Sequence, residues 1–269
     1  MRTALTIAGS DSSGGAGVQA DLKTFAAHGV YGLSVITAVT AQNTLGVTAF
    51  EALPADLVTA QMEAVVSDIG AHAAKTGMLA TAAIVEAVAA AVEALDIPRL
   101  VVDPVMIAKS GDRLIDDEAI GALKSALLRR AFLVTPNIQE AETLAGIAIT
   151  GEETRREAAR RIVALGAAAV IVKGGHVPSA DIVDLLYDGR RFVEFRTERV
   201  PGRGTHGTGC TFAAAVTAHL ALGRSLEEAV PLAQQYVAGA VRGAPNLGRG
   251  YGPMNHFWRT PNSPSTGAR

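Results

Sequence analysis

The order of apolar segments constrains this chain more than any other feature of its sequence. Short runs rich in β-forming residues alternate with longer segments of helical period, which is the pattern of parallel strands joined by crossover helices. The predicted strands are Thr3 to Ala8, Tyr31 to Ala38, Ala73 to Thr76, Leu100 to Val102, Phe132 to Thr135 and Val170 to Lys173. The predicted helices are Val18 to His28, Asp56 to Asp68, Thr81 to Leu95, Asp116 to Leu127, Ile138 to Ala145 and Thr154 to Leu165.

After Lys173 the pattern changes. Two apolar runs, Ile182 to Tyr187 and Phe192 to Thr197, flank Asp188-Gly189, which is a strong hairpin signal. Two further helices are predicted near residues 208–222 and 226–242. The expected fold is therefore α/β, a doubly wound and mostly parallel central sheet with helices on both faces and an antiparallel edge. No linker or repeat divides the chain, so we expect one domain over residues 1–258 and a flexible tail over 259–269.

Charge and composition narrow the class of protein. The 24 basic and 26 acidic residues give a formal charge of −2, which offers no strong field for nucleic-acid phosphates. A single cysteine excludes a secreted disulfide scaffold and suits a reducing compartment. The first apolar run breaks at Gly9, too early for a signal peptide, and Glu86 and Glu93 interrupt the longest apolar segment. We expect a cytoplasmic protein that binds neither nucleic acid nor membrane.

Polar and glycine residues recur where the predicted strands end. In open α/β sheets, ligands bind outside the carboxyl ends of the strands. Any one such segment has an alternative explanation, because loops are polar in general, but the whole set favours a binding site at this edge. The segments are GSDSSGGAG from Gly9, TAQNT from Thr40, KTGM from Lys75, DPVM from Asp103, TPN from Thr135 and KGGH from Lys173.

The first glycine-rich segment, residues 9–17, lies between a strand and a helix, where backbone N–H groups meet polar ligands. A P-loop is excluded because Gly-Lys-Ser/Thr occurs nowhere in the chain. Residues 15–20 fit a loose dinucleotide-binding pattern. However, the pattern starts well beyond the strand end, and no acidic residue closes the second strand.

The second glycine-rich segment is more specific. In THGTGC, residues Gly207, Thr208 and Gly209 open a strongly helical run, so successive N–H groups can point at one anion. Cys210 then falls in the first helical turn, where the helix dipole is expected to lower the pKa of a thiol. The alternative is that Cys210 is a small buried apolar residue.

Two acidic residues follow neighbouring strands. Asp103 could cap a turn or hold Mg²⁺ through water, and Glu140 could complete a capping box with Asn137 or supply a second acid to the same metal. Lys173 places a cation after another strand, where it could steady phosphates. His176 and His206 lack the third partner that a zinc site requires.

Together these segments resemble the ribokinase superfamily and, within it, the hydroxymethylpyrimidine/phosphomethylpyrimidine kinases of thiamine biosynthesis. The resemblance runs nearly end to end and includes the segments above together with AKSG from Ala108. It implies two successive ATP-dependent phosphorylations, first of 4-amino-5-hydroxymethyl-2-methylpyrimidine and then of its monophosphate. It also suggests a homodimer.

The resemblance assigns roles residue by residue. Gln42 and Asp21 would hydrogen-bond the pyrimidine, and its slot would have Gly9, Met78 and Val105 as walls. Asp103 and Glu140 would position Mg²⁺, Lys173 and Thr208 would bind ATP, and the Gly207 to Cys210 segment would stabilise the transferred group, with Cys210 nearest the substrate hydroxyl.

The sequence departs from the wider superfamily at two positions. Cys210 stands where most ribokinase-like enzymes have an aspartate base, and the pyrimidine kinases usually share this cysteine. Gln234 follows Ala233 where the family often has lysine. A pyridoxal or pyridoxine kinase of the same fold remains an alternative, because its substrate is a similar flat heterocycle. A more remote alternative is a non-catalytic sensor of the pyrimidine or a nucleotide.

Overall fold

The computed structural model of the chain describes residues 1–108, 111–175, 181–202 and 204–259. The strands are β1 (Thr3–Ala8), β2 (Tyr31–Ile36), β3 (Ala38–Gln42), β4 (Val47–Ala52), β5 (Ala73–Thr76), β6 (Leu100–Val102), β7 (Ala131–Val134), β8 (Val170–Val172), β9 (Asp181–Tyr187) and β10 (Phe192–Glu198). The α-helices are α1 (Gly17–Ala27), α2 (Ala55–Asp68), α3 (Ala82–Ala94), α4 (Asp117–Ala122), α5 (Ile138–Ala145), α6 (Glu152–Ala164), α7 (Thr208–Ala221) and α8 (Leu226–Arg242).

Eight strands form one sheet in the order β10-β9-β8-β7-β6-β5-β1-β2. Strands β2, β1, β5, β6, β7 and β8 pair in parallel, whereas β9 pairs antiparallel with both β8 and β10. The predicted mostly parallel sheet with an antiparallel edge is therefore confirmed.

Each face of the sheet carries its own hydrophobic core. Helices α2 to α6 cover one face, and α1, α7 and α8 cover the other. In β1 the side chains alternate, so Ala4 packs against the second group of helices while Leu5 and Ile7 pack against the first. Helix α7 is buried from Thr211 to Ala221, and the small alanines in this stretch allow it to approach the sheet closely.

A two-stranded antiparallel sheet, β3 with β4, was not predicted. The sequence indicated one strand from Tyr31 to Ala38, but β2 ends at Ile36 and β3 begins at Ala38, with only the buried Thr37 between them. The backbone N–H of Leu53 donates to the Thr37 carbonyl (2.8 Å), which holds the end of this hairpin against the main sheet. No glycine or proline marks the change of direction, so the sequence signal was absent.

One predicted helix is divided in the structure, and the predicted tail lies almost entirely outside the described residues. The predicted helix at residues 116–127 is divided into α4 and a π-helical turn over Leu123–Leu127, and a 3₁₀ turn over Leu128–Arg130 follows it. The predicted tail, 259–269, lies outside the described residues except for Arg259. Within the described part of the chain, no helix has both the length and the apolar character needed to span a membrane.

Candidate active site

The main cavity opens where β1, β5, β6, β7 and β8 end, and its volume is about 620 Å³. This is the edge at which ligands bind in open α/β sheets. All the site residues named from the sequence line this cavity, with the exception of Asp21. His176, which belongs to one of the same segments, lies outside the described residues.

Asp11 organises the first glycine-rich segment from within. Its carboxylate is buried and accepts hydrogen bonds from the backbone N–H groups of Ser13 (2.8 Å) and Ala16 (2.7 Å). At Gly17, φ is +58°, and a Cβ there would lie 2.5 Å from the Gly9 carbonyl oxygen. The chain can therefore turn into α1 only because glycine stands at this position.

The second glycine-rich segment packs directly against the first. Gly207 has φ of +79° and precedes α7, and no side chain caps the N-terminus of that helix. A Cβ on Gly209 would lie 3.4 Å from the Lys173 ammonium, so the start of α7 is adjacent to a positive charge. Backbone N–H groups, the helix N-terminus and Lys173 together form an environment suited to a phosphate.

Asp103 and Lys173 form an ion pair beside this helix start. The Lys173 Nζ lies 3.1 Å from Asp103 Oδ1, and Thr135 Oγ1 donates to the same oxygen at 3.3 Å. The other oxygen, Asp103 Oδ2, is buried and has no hydrogen-bond partner among the described residues. An unpartnered carboxylate oxygen on a residue that lines the cavity is a suitable ligand for Mg²⁺ or its water.

Glu140 caps the start of α5 and has a carboxyl group with a raised pKa. Its Oε2 accepts from the Asn137 backbone N–H (2.7 Å), which confirms the capping box at the start of α5. Burial raises the pKa of Glu140 to about 7, against the attraction of Lys173. In the part of the chain that the structure describes, no three His, Cys, Asp or Glu side chains converge on a metal position. A magnesium ion here would thus need phosphate and water to complete its coordination.

The residues predicted as walls of the pyrimidine slot are apolar and all line the cavity. The Gly9 backbone N–H donates to the Met78 carbonyl (3.1 Å), and a Cβ on Gly9 would approach the Met78 sulfur to 3.2 Å. Val105 and Gln42 also line this part of the cavity. A side chain at Gly9 would crowd Met78 and narrow this part of the cavity.

Asp21 forms a buried ion pair with Lys75. It is fully buried outside the cavity lining, and its Oδ2 pairs with the Lys75 ammonium at 2.9 Å and accepts from Thr6 Oγ1 at 2.6 Å. Asp21 therefore lies outside the cavity lining, and its expected hydrogen bond to the pyrimidine stays a prediction. Asp21 belongs to the buried face of α1 with Val18 and Phe25.

Cys210 also differs from expectation. The helix dipole was expected to lower its pKa, but burial raises the pKa of the thiol to about 12, and Lys75 only partly opposes this effect. The cost of an ionised sulfur in a poorly solvated position exceeds the contribution of the dipole. At neutral pH Cys210 is a thiol, with the properties of a small polarisable wall residue.

Two cavity residues were missed by the sequence reasoning. His206 Nε2 lies 2.8 Å from Asp11 Oδ2 and 3.5 Å from Gln42 Nε2, so it joins the two glycine-rich segments to the slot. Asp184 lies at the far end of the cavity, where Gln234 Nε2 donates to its Oδ2 at 2.8 Å. His206 belongs to the THGTGC segment and could have been found from it, whereas no sequence motif marks Asp184.

The fold and the cavity define a ribokinase-like small-molecule kinase. The sequence matches the phosphomethylpyrimidine kinase family over residues 11–255, and the chain belongs to that family. It is 48% identical over 264 residues to the hydroxymethylpyrimidine/phosphomethylpyrimidine kinase of Bacillus subtilis, covering 98% of this chain and 97% of that one.

The chain is also similar to a longer bifunctional protein and to a pyridoxal kinase of known structure. The thiamine biosynthesis bifunctional protein ThiED of Geobacter sulfurreducens is 52% identical over 94% of this chain, which spans about half (52%) of that longer protein. The solved structure of Bacillus subtilis pyridoxal kinase with ADP superposes with a TM-score of 0.90 at 38% identity, covering 97% of this chain and 100% of that one. The identities favour the pyrimidine kinases over the pyridoxal kinase.

Proposed function

We propose that this protein transfers the γ-phosphoryl group of ATP first to the hydroxymethyl group of 4-amino-5-hydroxymethyl-2-methylpyrimidine and then to the resulting monophosphate. One observation carries the proposal. The apolar slot at Gly9, Met78 and Val105 opens into the same cavity as the helix start at Gly207 and the Lys173–Asp103 pair. A flat heterocycle and a phosphoryl group can therefore occupy adjacent positions.

In the proposed reaction, the apolar slot would orient the pyrimidine that accepts the phosphoryl group. Met78 and Val105 would pack on the two ring faces, and the Gln42 amide would bond the ring nitrogen or the exocyclic amine. The His206 ring lies beside Gln42, with its Nε2 3.5 Å from the Gln42 amide nitrogen, and the same Nε2 donates to Asp11. The hydroxymethyl group would then point toward the start of α7.

The glycine-rich helix start would stabilise the phosphoryl group during transfer. Gly207, Thr208 and Gly209 offer backbone N–H groups, and Thr208 adds a hydroxyl. Lys173 would face the ATP phosphates from the neighbouring strand. The close contact between the two glycine-rich segments would help to hold these donors in place.

Magnesium would be held by Asp103, through its unpartnered Oδ2, and by Glu140 through water. When bound, Mg²⁺ neutralises charge on the phosphates. The Lys173 ammonium limits how much negative charge the two carboxylates present to each other. Burial favours protonation of Glu140, so a bound cation would also favour its ionised form.

Cys210 would lie next to the acceptor hydroxyl as a neutral thiol. Phosphoryl transfer through a loose transition state needs little help from a base, because the hydroxyl proton leaves late. A thiol whose pKa is about 12 can therefore occupy the position without abstracting the proton.

Assembly and location form part of the same proposal. The outer face of the β3–β4 hairpin exposes Val39, Ala41 and Ala49 beside Glu51, and we place a homodimer contact there. Light scattering should give twice the chain mass, and Val39→Glu should lower it to the mass of one chain. The cytoplasm fits a protein with one unpaired cysteine.

The deciding experiment offers Mg-ATP with the hydroxymethylpyrimidine, its monophosphate and pyridoxine in separate reactions and identifies products by mass. Conversion of the pyrimidine through the monophosphate to the diphosphate supports the proposal. Turnover of pyridoxine alone would favour the second candidate, a pyridoxine or pyridoxal kinase, which the TM-score of 0.90 to such an enzyme motivates. No ATP consumption with any acceptor would favour a sensor.

A further inference from the structure

Lys75 is a fully buried ammonium in a strand whose other residues are mostly apolar. Its side chain has no solvent exposure, and Nζ lies 2.9 Å from Asp21 Oδ2, which is equally buried. Thr6 Oγ1 donates to the same carboxylate oxygen at 2.6 Å, while Asp21 Oδ1 has no partner among the described residues. Burying two opposite charges is costly, and well-packed apolar residues could replace them without loss of stability. The pair therefore calls for an explanation other than stability.

The two charges of the ion pair lie at different distances from the cavity. Gly77 follows Lys75 by two residues, directly after the end of β5, and a Cβ on Gly77 would stand 3.3 Å from Lys75 Nζ. Gly77 lines the cavity, but Asp21 does not. The positive end of the ion pair thus points at the cavity floor, and the negative end is withdrawn behind it, between β1 and α1.

The cavity floor faces the start of α7. Helix α7 packs against β5, and Lys75 attracts negative charge at Cys210 in the first turn of that helix. Other charges also act on Cys210, namely Asp103 after β6, Asp21 on α1 and Lys173 after β8. Lys173 is paired with Asp103, so the effects of these two opposite charges on Cys210 largely cancel.

We infer that Lys75 and Asp21 form a positioning pair that fixes one positive charge beneath the N-terminus of α7. The inference rests on the proposed phosphoryl transfer, which it extends. Neither side chain lines the cavity. The charge acts through the cavity floor and stabilises the negative charge that gathers on the transferred group, and the carboxylate keeps the lysine protonated and stationary.

The test replaces both charges at once. The Asp21→Asn/Lys75→Met double variant is neutral and nearly isosteric, so it avoids leaving one buried charge unpaired. We expect kcat to fall about tenfold while both KM values stay within about threefold, because the charge acts mainly on the transition state. The matched control is Glu93→Gln/Arg130→Met, which removes an exposed ion pair at the opposite end of the strands.

Cys210 supplies a second readout that needs no substrate. It is the only cysteine in the chain, so the rate of its alkylation by iodoacetamide reports the local potential directly. We expect the double variant to be alkylated about tenfold more slowly at a given pH, as for a shift of about one pKa unit. Unchanged alkylation in a folded double variant would overturn the inference, because a merely structural pair would leave the potential unaltered.

The single variant Asp21→Asn keeps the inference testable if the double variant does not fold. Asp21→Asn keeps the lysine and removes the negative neighbour, so it should be alkylated faster than the wild type, and slower alkylation would contradict the inference. Alkylation is measured without ATP or pyrimidine. A protein that shows these rate changes but phosphorylates nothing would therefore refute the proposed function and leave the placement of the charge intact.

Discussion

The α-carbon of Gly207 lies against the carbonyl group of Gly15: a Cβ at position 207 would stand only 1.9 Å from that oxygen. This contact joins the two glycine-rich segments of the site. It exists because position 207 has no side chain and its φ is +79°, a conformation that glycine adopts without strain.

Gly207→Ala should accordingly separate the two segments and displace the N–H groups at the start of α7. We expect kcat/KM to fall by about 10²-fold or more, the scale seen when a preorganised donor is lost. The measurement is steady-state kinetics with the hydroxymethylpyrimidine, together with a melting curve.

The control for this substitution is Gly223→Ala at the other end of α7. Gly223 has a similar φ of +88°, but a Cβ at this position would have no atom within 4 Å, so the variant carries the backbone strain without the clash. Both variants should lose about 1–2 kcal/mol of stability from strain. An equal loss of activity in both would show that the contact at Gly15 does not matter.

Asp103→Asn tests the metal side of the site. The substitution removes the charge that pairs with Lys173 and converts the unpartnered Oδ2 into an amide or a weaker oxygen ligand. We expect kcat to fall about 10²-fold and the Mg²⁺ concentration for half-maximal rate to rise. Titrating Mg²⁺ at saturating ATP measures both.

The matched control is Asp56→Asn, an exposed aspartate in the first turn of α2. It should leave the Mg²⁺ dependence unchanged. If Asp103→Asn retains the wild-type Mg²⁺ dependence, Asp103 does not position the metal.

The sheet could be predicted from the sequence because its signals are local. Each parallel strand is a short apolar run, and the turn at Asp188-Gly189 marks the antiparallel edge. The β3–β4 hairpin could not be predicted in this way, since a single buried threonine separates β2 from β3. Its pairing depends on contacts between distant segments.

The position of most site residues followed from one rule, that strand ends in an open sheet share an edge. Asp21 is the exception, because its side chain is buried outside the cavity lining. A signal was available: Val18, Asp21 and Phe25 recur at helical spacing and share the buried face of α1. A lysine inside the apolar strand β5 also requires a buried acid, and the sequence reasoning did not pair the two.

Cys210→Ala tests whether the thiol acts as a base. Because burial raises its pKa to about 12, the thiolate is scarce at pH 7 to 8, and we expect the substitution to lower kcat less than tenfold for either phosphorylation. The pH dependence of kcat should keep its shape. A loss above about 10²-fold, together with the disappearance of a rise in kcat with increasing pH, would instead assign the proton transfer to Cys210.

Acid stability should depend on a buried histidine pair at the opposite end of the sheet from the cavity. His28 and His219 meet edge to face with ring centroids 4.7 Å apart, and neither ring nitrogen of His219 has a hydrogen-bond partner among the described residues. Burial lowers the pKa of His219 from 6.5 to about 3, and it also lowers that of His28. The His219 ring is therefore neutral in the folded protein near pH 5.

The sign of the effect follows from proton binding. Between about pH 3 and 6.5 the unfolded chain binds a proton at His219 that the folded protein does not, so the free energy of unfolding falls as the pH falls through this range. At pH 5 the loss from His219 alone is at most about 2 kcal/mol. His219→Phe keeps a ring against His28 and removes the titration, so urea unfolding of this variant should lose less stability between pH 7 and pH 5 than the wild type. Equal losses in the two proteins would show that His219 is protonated in the folded state or solvated by water.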